Sequence, residues 1–338
     1  MRIALIGFGN VGQGLATILR DRSAALAADY GFRPQLVAVA TRSRGTLVRA
    51  EGLDPIGLLE AIAAVSLDRY PDQAGLERDW DAARIARDLA ADVLVEASPS
   101  DLETGSPALN LALTALASGK HVVLANKGPV VVAYPELMDA AQSAGREVLF
   151  EATVMAGTPS LRLAREALAG GGITRARGII NGTTNYILTQ MENGMTFADA
   201  LAQAQAIGYA EADPTADVDG WDAAGKARIL SGALFGKPRA FGEMRVEGIR
   251  GLTPDDIESA RAAGERWKLI ADITPEALSV APARIPLTHP LASVMNGTNA
   301  ITYSTDLLGD VTLVGAGAGG VQTGFGLLSD LLALHRQG

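Results

Sequence analysis

Cysteine is missing altogether from this chain of 338 residues. Its absence excludes disulfides, thiolate zinc sites and any covalent thioester route, so acylating aldehyde dehydrogenation through a cysteine nucleophile is ruled out. Histidine is scarce: the three present, His121, His289 and His335, are too scattered for a metal cluster and read as structural. Positive charge is in deficit, 29 Lys and Arg against 38 Asp and Glu, and this balance argues against a nucleic-acid surface. No apolar run approaches the roughly 20 residues needed to cross a bilayer, so no membrane partner is expected. Met1-Arg-Ile-Ala-Leu-Ile-Gly7 enters structure at once without a cleavable leader, and the expected setting is the cytoplasm.

With 48% apolar residues the chain is globular, and its length fits two domains, each able to bury a core. The first strand, residues 2 to 7, breaks at Gly7-Phe8-Gly9-Asn10-Val11-Gly12 and runs into a helix from Gln13 to about Ala28. Strand, glycine turn, helix is the order a dinucleotide loop requires. Gly7 permits the turn, Gly9 lets the backbone approach pyrophosphate, and Gly12 allows close helix packing. Near-continuous apolar runs recur at Gln35 to Thr41, Ala91 to Ala97 and His121 to Ala125, as in the buried strands of a parallel sheet. Ser98, directly after the third run, joins the cofactor candidates.

After the second strand, where an NAD site usually places an acid for the ribose 2′-hydroxyl, this chain reads Ala40-Thr41-Arg42-Ser43-Arg44. Arg42 and Arg44 favour NADP, whose 2′-phosphate a guanidinium can pair; the other reading is a solvated basic loop, with NAD still admissible.

The expected architecture is α/β: an N-terminal Rossmann-type doubly wound sheet over residues 1–150, then an α+β substrate and dimerisation domain over 151–308. A C-terminal segment, 309–338, returns to the nucleotide-binding domain. In the second domain β-rich pieces (Thr174 to Ile180, Leu278 to Pro286, Thr298 to Ser304) alternate with helical ones (Phe197 to Gln205, Gly220 to Leu234, Pro254 to Trp267) on one antiparallel sheet. Near the end, Gly315-Ala-Gly-Ala-Gly-Gly320 imitates a second glycine fingerprint, but one helix, Val321 to about Leu334, exhausts the chain. Two readings stay open there: a tight turn against the helix, or backbone amides closing over the cofactor.

Chemistry concentrates in four places. Gly208 to Lys226 packs Glu211, Asp213, Asp217, Asp219, Asp222 and Lys226 into a turn-rich stretch entering a helix. Asp222 and Lys226, four apart, share a helical face, and Asp219 reads as the helix N-cap. Lys127, in Ala125-Asn126-Lys127-Gly128-Pro129, should stand at the carboxyl end of a sheet strand. There it is either solvated or able to polarise a carbonyl beside a nicotinamide. Glu151, heading a small-residue loop to Pro159, either holds a monovalent cation with backbone oxygens or marks a domain-crossing turn. Asn181, Gly182 and Thr183 open a polar loop suited to a polar substrate or to local backbone bonds.

These segments together resemble homoserine dehydrogenase. The resemblance runs through GFGNVG, ANKGP, EATVMAGTP, GIINGTTNYIL, GYAEADPTADVDGWDAAGKARIL and TLVGAGAGG, spanning nearly the whole chain. It implies NAD(P)-dependent interconversion of L-homoserine and L-aspartate 4-semialdehyde, within threonine, methionine and isoleucine biosynthesis, in a homodimer formed through the second domain. Carried over by position, it makes Lys226 the proton donor and Lys127 a second lysine near substrate and nicotinamide, meeting across the domain interface. Glu211 becomes the carboxylate for the substrate amine, with Asp217 and Asp222 beside it. Glu151, Val154, Ala156 and Thr158 match a sodium-binding loop, and Gly315 the turn returning to the cofactor. Many members continue into a regulatory ACT domain; the likeness here is to the short form. The rival readings are another NADP-dependent two-domain reductase and a nucleotide sensor that binds NADP without turnover.

Overall fold

The structure, a computed structural model, describes residues Met1–Gln337. The chain divides into two compact units, Met1–Gly157 together with the chain from Gly319 onward, and Thr158–Ala318. The first contains β1 (Arg2–Ile6), α1 (Asn10–Tyr30), β2 (Gln35–Ala40), β3 (Thr46–Val48), α2 (Pro55–Ala63), α3 (Ala82–Asp88), β4 (Val93–Glu96), α4 (Ala108–Ala117), β5 (His121–Leu124), α5 (Gly128–Ala144) and β6 (Val148–Leu149). Its sheet runs β3-β2-β1-β4-β5-β6. All neighbours are parallel except the β2/β3 edge pair, a short hairpin beyond the expected strands. The apolar runs are buried on both sheet faces, with Ala4, Leu5, Val37, Val39, Val93, Val95 and Val123 wholly inaccessible.

The second unit holds α6 (Ser160–Arg162), β7 (Ile173–Ile179), α7 (Gly182–Glu192), α8 (Phe197–Ala206), α9 (Thr215–Val218), α10 (Trp221–Phe235), β8 (Arg245–Val246), α11 (Pro254–Ala262), β9 (Glu265–Ile273), β10 (Leu278–Pro286), β11 (Thr298–Thr305) and β12 (Gly309–Ala316). The sheet order is β12-β11-β7-β9-β10-β8, antiparallel but for the short β8 edge strand, which runs parallel to β10. The last helix, α12 (Gly320–Gln337), is part of the first unit, where Leu327, Leu328, Leu331 and Leu334 join the core around Leu15 and Leu19 of α1.

Two local expectations are corrected. The helix expected over Pro254 to Trp267 ends at Ala262, because Gly264 takes φ +71° and the alternating Glu265–Ile273 segment pairs along β10 as strand β9. Asp219 is not the cap of α10. Gly220, at φ +87°, holds that position with no side-chain cap, while Asp219 closes α9 and turns its carboxylate to Arg250.

Candidate active site

In the first unit the glycine loop is shaped by close backbone approaches. Gly7 has φ +93°, and a Cβ there would lie 2.5 Å from the Ala97 carbonyl carbon; one on Gly12 would lie 2.4 Å from the Gly7 oxygen. Gly9 instead faces open space, with nothing within 4 Å of an added Cβ. Phe8 is buried and anchors the loop, while Asn10 and Val11 form the first turn of α1. That helix begins at Gly9 without a side-chain cap and without an acid in its first turn, so its unbonded N–H groups and positive dipole end are offered to an anion. These features fit a dinucleotide pyrophosphate.

The turn after β2 is fixed by Thr41, whose hydroxyl donates to the Gly45 carbonyl (2.9 Å) and accepts from the Arg44 amide (2.8 Å). Arg42 is exposed there and Arg44 half-buried. At the carboxyl ends of β4 and β5, Asn126 donates to the Ser98 hydroxyl and the Pro99 carbonyl, both at 3.2 Å, and accepts from the Gly128 amide at 2.9 Å. Lys127 follows as the residue preceding α5, its amide donating to the Ser100 hydroxyl at 2.9 Å. The strand-end position expected for Lys127 is therefore observed. Glu96, wholly buried at the end of β4, accepts from the Ser98 amide at 3.2 Å; burial raises its carboxyl above the ordinary range, against the lowering effect of Ser98 and Asn126.

In the second unit the structure brings Asn181, Asp217, Asp222 and Lys226 together. Lys226 is 8% exposed on α10, and its ammonium lies 2.7 Å from Asp222 Oδ2 and donates to the Ile180 carbonyl at 2.9 Å. Asn181 caps α7 by accepting from the Thr184 amide (2.9 Å), while its Nδ2 donates to Asp217 Oδ1 (2.6 Å) and Asp222 Oδ2 (3.0 Å). Burial, then the neighbouring Asp222 charge, raises the Asp217 carboxyl above its usual range; Asn181, Lys226 and Thr183 oppose the shift. The sequence spacing found the Asp222–Lys226 pair, but it missed that one amide bridges both aspartates.

Thr183 donates to the Tyr209 carbonyl at 2.7 Å, tying the start of α7 to the loop that carries Glu211. Tyr209 stacks on Tyr186 with ring centroids 5.0 Å apart. Glu211 is exposed on that loop, outside the buried cluster, and its carbonyl accepts from Gln205 at 3.0 Å. Gly182 packs against the Gly297 carbonyl, 2.7 Å from where a Cβ would stand.

Glu151 begins a short 3-10 turn, Glu151–Thr153; it is 3% exposed, and its amide donates to Asp330 Oδ2 at 2.9 Å. Val154 and Ala156 follow, both buried, with Ala156 at φ +52°. Thr158 opens the second unit, its hydroxyl donating to the Ala316 carbonyl at 2.9 Å. Among the described residues no group of three His, Cys, Asp or Glu is placed to hold a metal, so a cation at this loop would draw on main-chain oxygens. Gly315 itself lies within β12, paired with Asn299, and the turn is made by the neighbours that follow it. A Cβ on Gly315 would stand 2.3 Å from the Thr158 hydroxyl.

Sequence reasoning passed over a second buried lysine. Lys268 on β9 is inaccessible and donates to Asn185 Oδ1 (2.9 Å) and the Val294 carbonyl (2.7 Å). Burial pulls it down to about 8, opposed by Glu192 and reinforced by Arg266. The available signal was the lone charge inside the apolar stretch Trp267-Lys-Leu-Ile-Ala271.

A glycine loop at the start of a parallel sheet, with a separate unit holding a buried lysine–carboxylate pair, fits a nicotinamide-linked oxidoreductase that acts at a CH–OH carbon. Comparison with known proteins gives the family. Residues 7–151 match the homoserine dehydrogenase NAD-binding domain and residues 159–332 match homoserine dehydrogenase. An NAD(+)-dependent homoserine dehydrogenase of Pseudomonas canavaninivorans is 40% identical over 347 residues, covering 99% of this chain and 96% of that protein. The homoserine dehydrogenase of Methanocaldococcus jannaschii is 38% identical over 99% of this chain and 98% of its own. Among solved structures, a putative homoserine dehydrogenase from Archaeoglobus fulgidus superposes with a TM-score of 0.88 at 34% identity, covering 99% of both chains. A hyperthermophilic archaeal homoserine dehydrogenase in complex with NADPH gives 0.85 at 30%, covering 100% of this chain and 98% of that one. The chain belongs to the homoserine dehydrogenase family and is an NAD(P)-dependent oxidoreductase.

Proposed function

We propose that the protein interconverts L-homoserine and L-aspartate 4-semialdehyde, with Lys226 exchanging the hydroxyl proton. The observation that carries this assignment is the buried Lys226 ammonium, held by Asp222 and by the Ile180 carbonyl. When bound, the nicotinamide supplies or accepts the hydride. The carbon that receives it leaves an oxygen with developing negative charge, and an oriented ammonium both stabilises that charge and protonates it. Two of the three Lys226 donors are engaged by Asp222 and Ile180, which aims the third. Asp222 holds the ammonium in place, Asn181 fixes Asp222, and Lys127 polarises the substrate oxygen. Glu211, near the Thr183–Tyr209 tie, recognises the substrate ammonium, with Asp217 contributing a second carboxyl.

The Gly7–Gly12 loop and Ser98 hold the dinucleotide, and Arg42 and Arg44 select NADP over NAD by pairing the 2′-phosphate. Relatives differ on this point, one being an NAD(+)-dependent homoserine dehydrogenase and another having been solved in complex with NADPH. A sodium ion at Glu151, Val154, Ala156 and Thr158 is supported by the buried Glu151 and by the left-handed backbone at Ala156. A homodimer through the second unit is supported by exposed Leu307, Leu308 and Val314 at the β11/β12 hairpin and is read by light scattering.

The deciding experiment follows reduced nicotinamide formation with L-homoserine and NADP or NAD, with L-threonine and L-serine as controls. Turnover specific to homoserine and faster with NADP is expected. Inactivity with homoserine under both cofactors would overturn the assignment.

A further inference from the structure

Glu96 is a buried acid for which the chemistry above has no task. It closes β4 at the carboxyl edge of the parallel sheet, level with Ile6 of β1 and Leu124 of β5, and is inaccessible to solvent. Its main-chain oxygen accepts from the Ala125 amide at 2.9 Å and the Asn126 amide at 3.4 Å. In the carboxyl, Oε1 accepts from the Ser98 amide at 3.2 Å, while Oε2 is buried without a hydrogen-bond partner. An ionised carboxylate with one oxygen undonated inside a sheet is costly, and the rest of the strand, Val93, Leu94 and Val95, carries no such cost. Burial raises the carboxyl above the ordinary range by more than Ser98 and Asn126 lower it. Among the described residues no charged group figures in that shift, neither Asp101 nor Lys127 on the adjoining loops, and the flanking strands present only apolar Ile6 and Leu124 at its level.

What the carboxyl holds is the backbone that shapes the glycine loop. The Ser98 amide belongs to the Ala97–Ser98 peptide, and a Cβ on Gly7 would stand 2.5 Å from both the Ala97 carbonyl carbon and the Ser98 nitrogen. Gly7 therefore closes directly against that peptide. The Ala97 amide donates to the Ile6 carbonyl at 2.7 Å, which ties the same peptide to the strand that leads into Gly7. On the other flank Asn126 Nδ2 donates to the Ser98 hydroxyl and the Pro99 carbonyl, both at 3.2 Å. All of these groups lie in the first unit, which carries the match to an NAD-binding domain.

We infer that Glu96 is a positioning residue for the dinucleotide: its carboxyl fixes the Ala97–Ser98 peptide, and that peptide fixes Gly7, which sets the turn that receives the pyrophosphate. Being inaccessible, Glu96 touches no ligand and acts only through this backbone. It serves in the neutral form. Loss of the proton would place an undonated negative charge behind a loop built for phosphates, so binding weakens as the carboxyl ionises. Because the proton is kept above the ordinary glutamate range, the weakening appears as pH rises past that range. A glutamine offers the same acceptor with no proton to lose. The inference rests on the nicotinamide-linked reading of the first unit and not on the identity of the substrate.

The test measures Kd by calorimetry on the full-length protein, with whichever of NADP and NAD binds more tightly, from about pH 6 to about pH 9. Glu96→Gln should bind as the wild type does at the acid end. The ratio of wild-type to Glu96→Gln Kd, in which the cofactor's own titration cancels, should then climb by about threefold or more as pH rises. Glu96→Leu cannot accept from the Ser98 amide, and its Kd should be raised roughly tenfold already at the acid end. Val95→Ala, a core change on the same strand, separates this from general loosening: its melting temperature should fall while Kd stays within about twofold of the wild type. A ratio that stays flat, wild-type Kd in folded Glu96→Leu, or equal rises in Glu96→Leu and Val95→Ala would overturn the proposal. If Glu96→Leu does not fold, the pH ratio decides alone. A climbing ratio in a protein without homoserine turnover would instead sink the substrate assignment and leave Glu96 standing.

Discussion

An ammonium buried as deeply as Lys226 is tolerated because its charge is matched at 2.7 Å by Asp222, and a buried ion pair of this kind is retained for what it does rather than for net stability. Lys226→Ala removes the proposed proton donor and takes the ammonium from beside Asp222 while leaving the Asn181 amide bridging Asp222 and Asp217. Turnover should fall by about a hundredfold or more. NADP affinity, a property of the first unit's glycine loop, should stay unchanged and serves as the folding control. Undiminished kcat in a folded Lys226→Ala protein would rule Lys226 out as donor. Glu211 calls for the opposite signature. It lies exposed on its loop, so Glu211→Gln leaves no buried charge unpaired and costs little stability. If it binds the substrate ammonium, the KM for homoserine should rise by roughly tenfold or more while the KM for NADP holds. Equal rises in both would show that the loop, not the carboxylate, had been disturbed.

Lys268 joins elements rather than touching substrate: from β9 it reaches Asn185 on α7 and the Val294 carbonyl, and so fixes the helix whose first turn is capped by Asn181. Glu192 on α7 and Arg266 on β9 are the charged groups that face it, Arg266 itself lying 3.2 Å from Glu192. Folded Lys268 loses its proton near about 8, against 10.5 for the free group. Between those values the unfolded chain binds more protons, so stability should rise with pH across that window, by at most about 3 kcal/mol. Lys268→Met should flatten this rise in urea titrations run from pH 8 to 10; an unchanged slope would show that Lys268 is not the group responsible. The local pattern offered only a lone charge in an apolar stretch, Trp267-Lys-Leu-Ile-Ala271, and not the partners on α7 and at Val294 that give it this role. The dinucleotide loop and the Asp222–Lys226 pair were legible because their partners lie within a few residues. Glu265 to Trp267 read as helix because the strand partner that decides its state, β10, depends on a pairing across the Gly264 turn and beyond. Asp219 was taken for a cap because Arg250, which claims its carboxylate, lies 31 residues away. Glu96 and Asn126 were hidden for the same reason, their roles being set by strands brought together only in the sheet.

For the whole molecule, the decisive fact is that the first unit is made from both ends of the chain, with the entire second unit inserted between Gly157 and Gly319. Its core is incomplete until α12 returns. Leu327, Leu328, Leu331 and Leu334 are 0%, 3%, 0% and 6% exposed against α1 and the sheet. Burying four leucines is worth about 6 to 12 kcal/mol, comparable with the roughly 5 to 15 kcal/mol that holds a whole domain folded. A chain ending at Ala318 should therefore leave the first unit unfolded, with NADP binding abolished and rapid proteolysis before Gly157. Leu331→Ala is the graded version: it should cost about 2 to 5 kcal/mol, seen as a lowered melting temperature that saturating NADP partly restores by mass action. Wild-type NADP affinity in the truncated chain would mean that residues 1 to 157 carry their own core, and that α12 is held by the unit rather than building it.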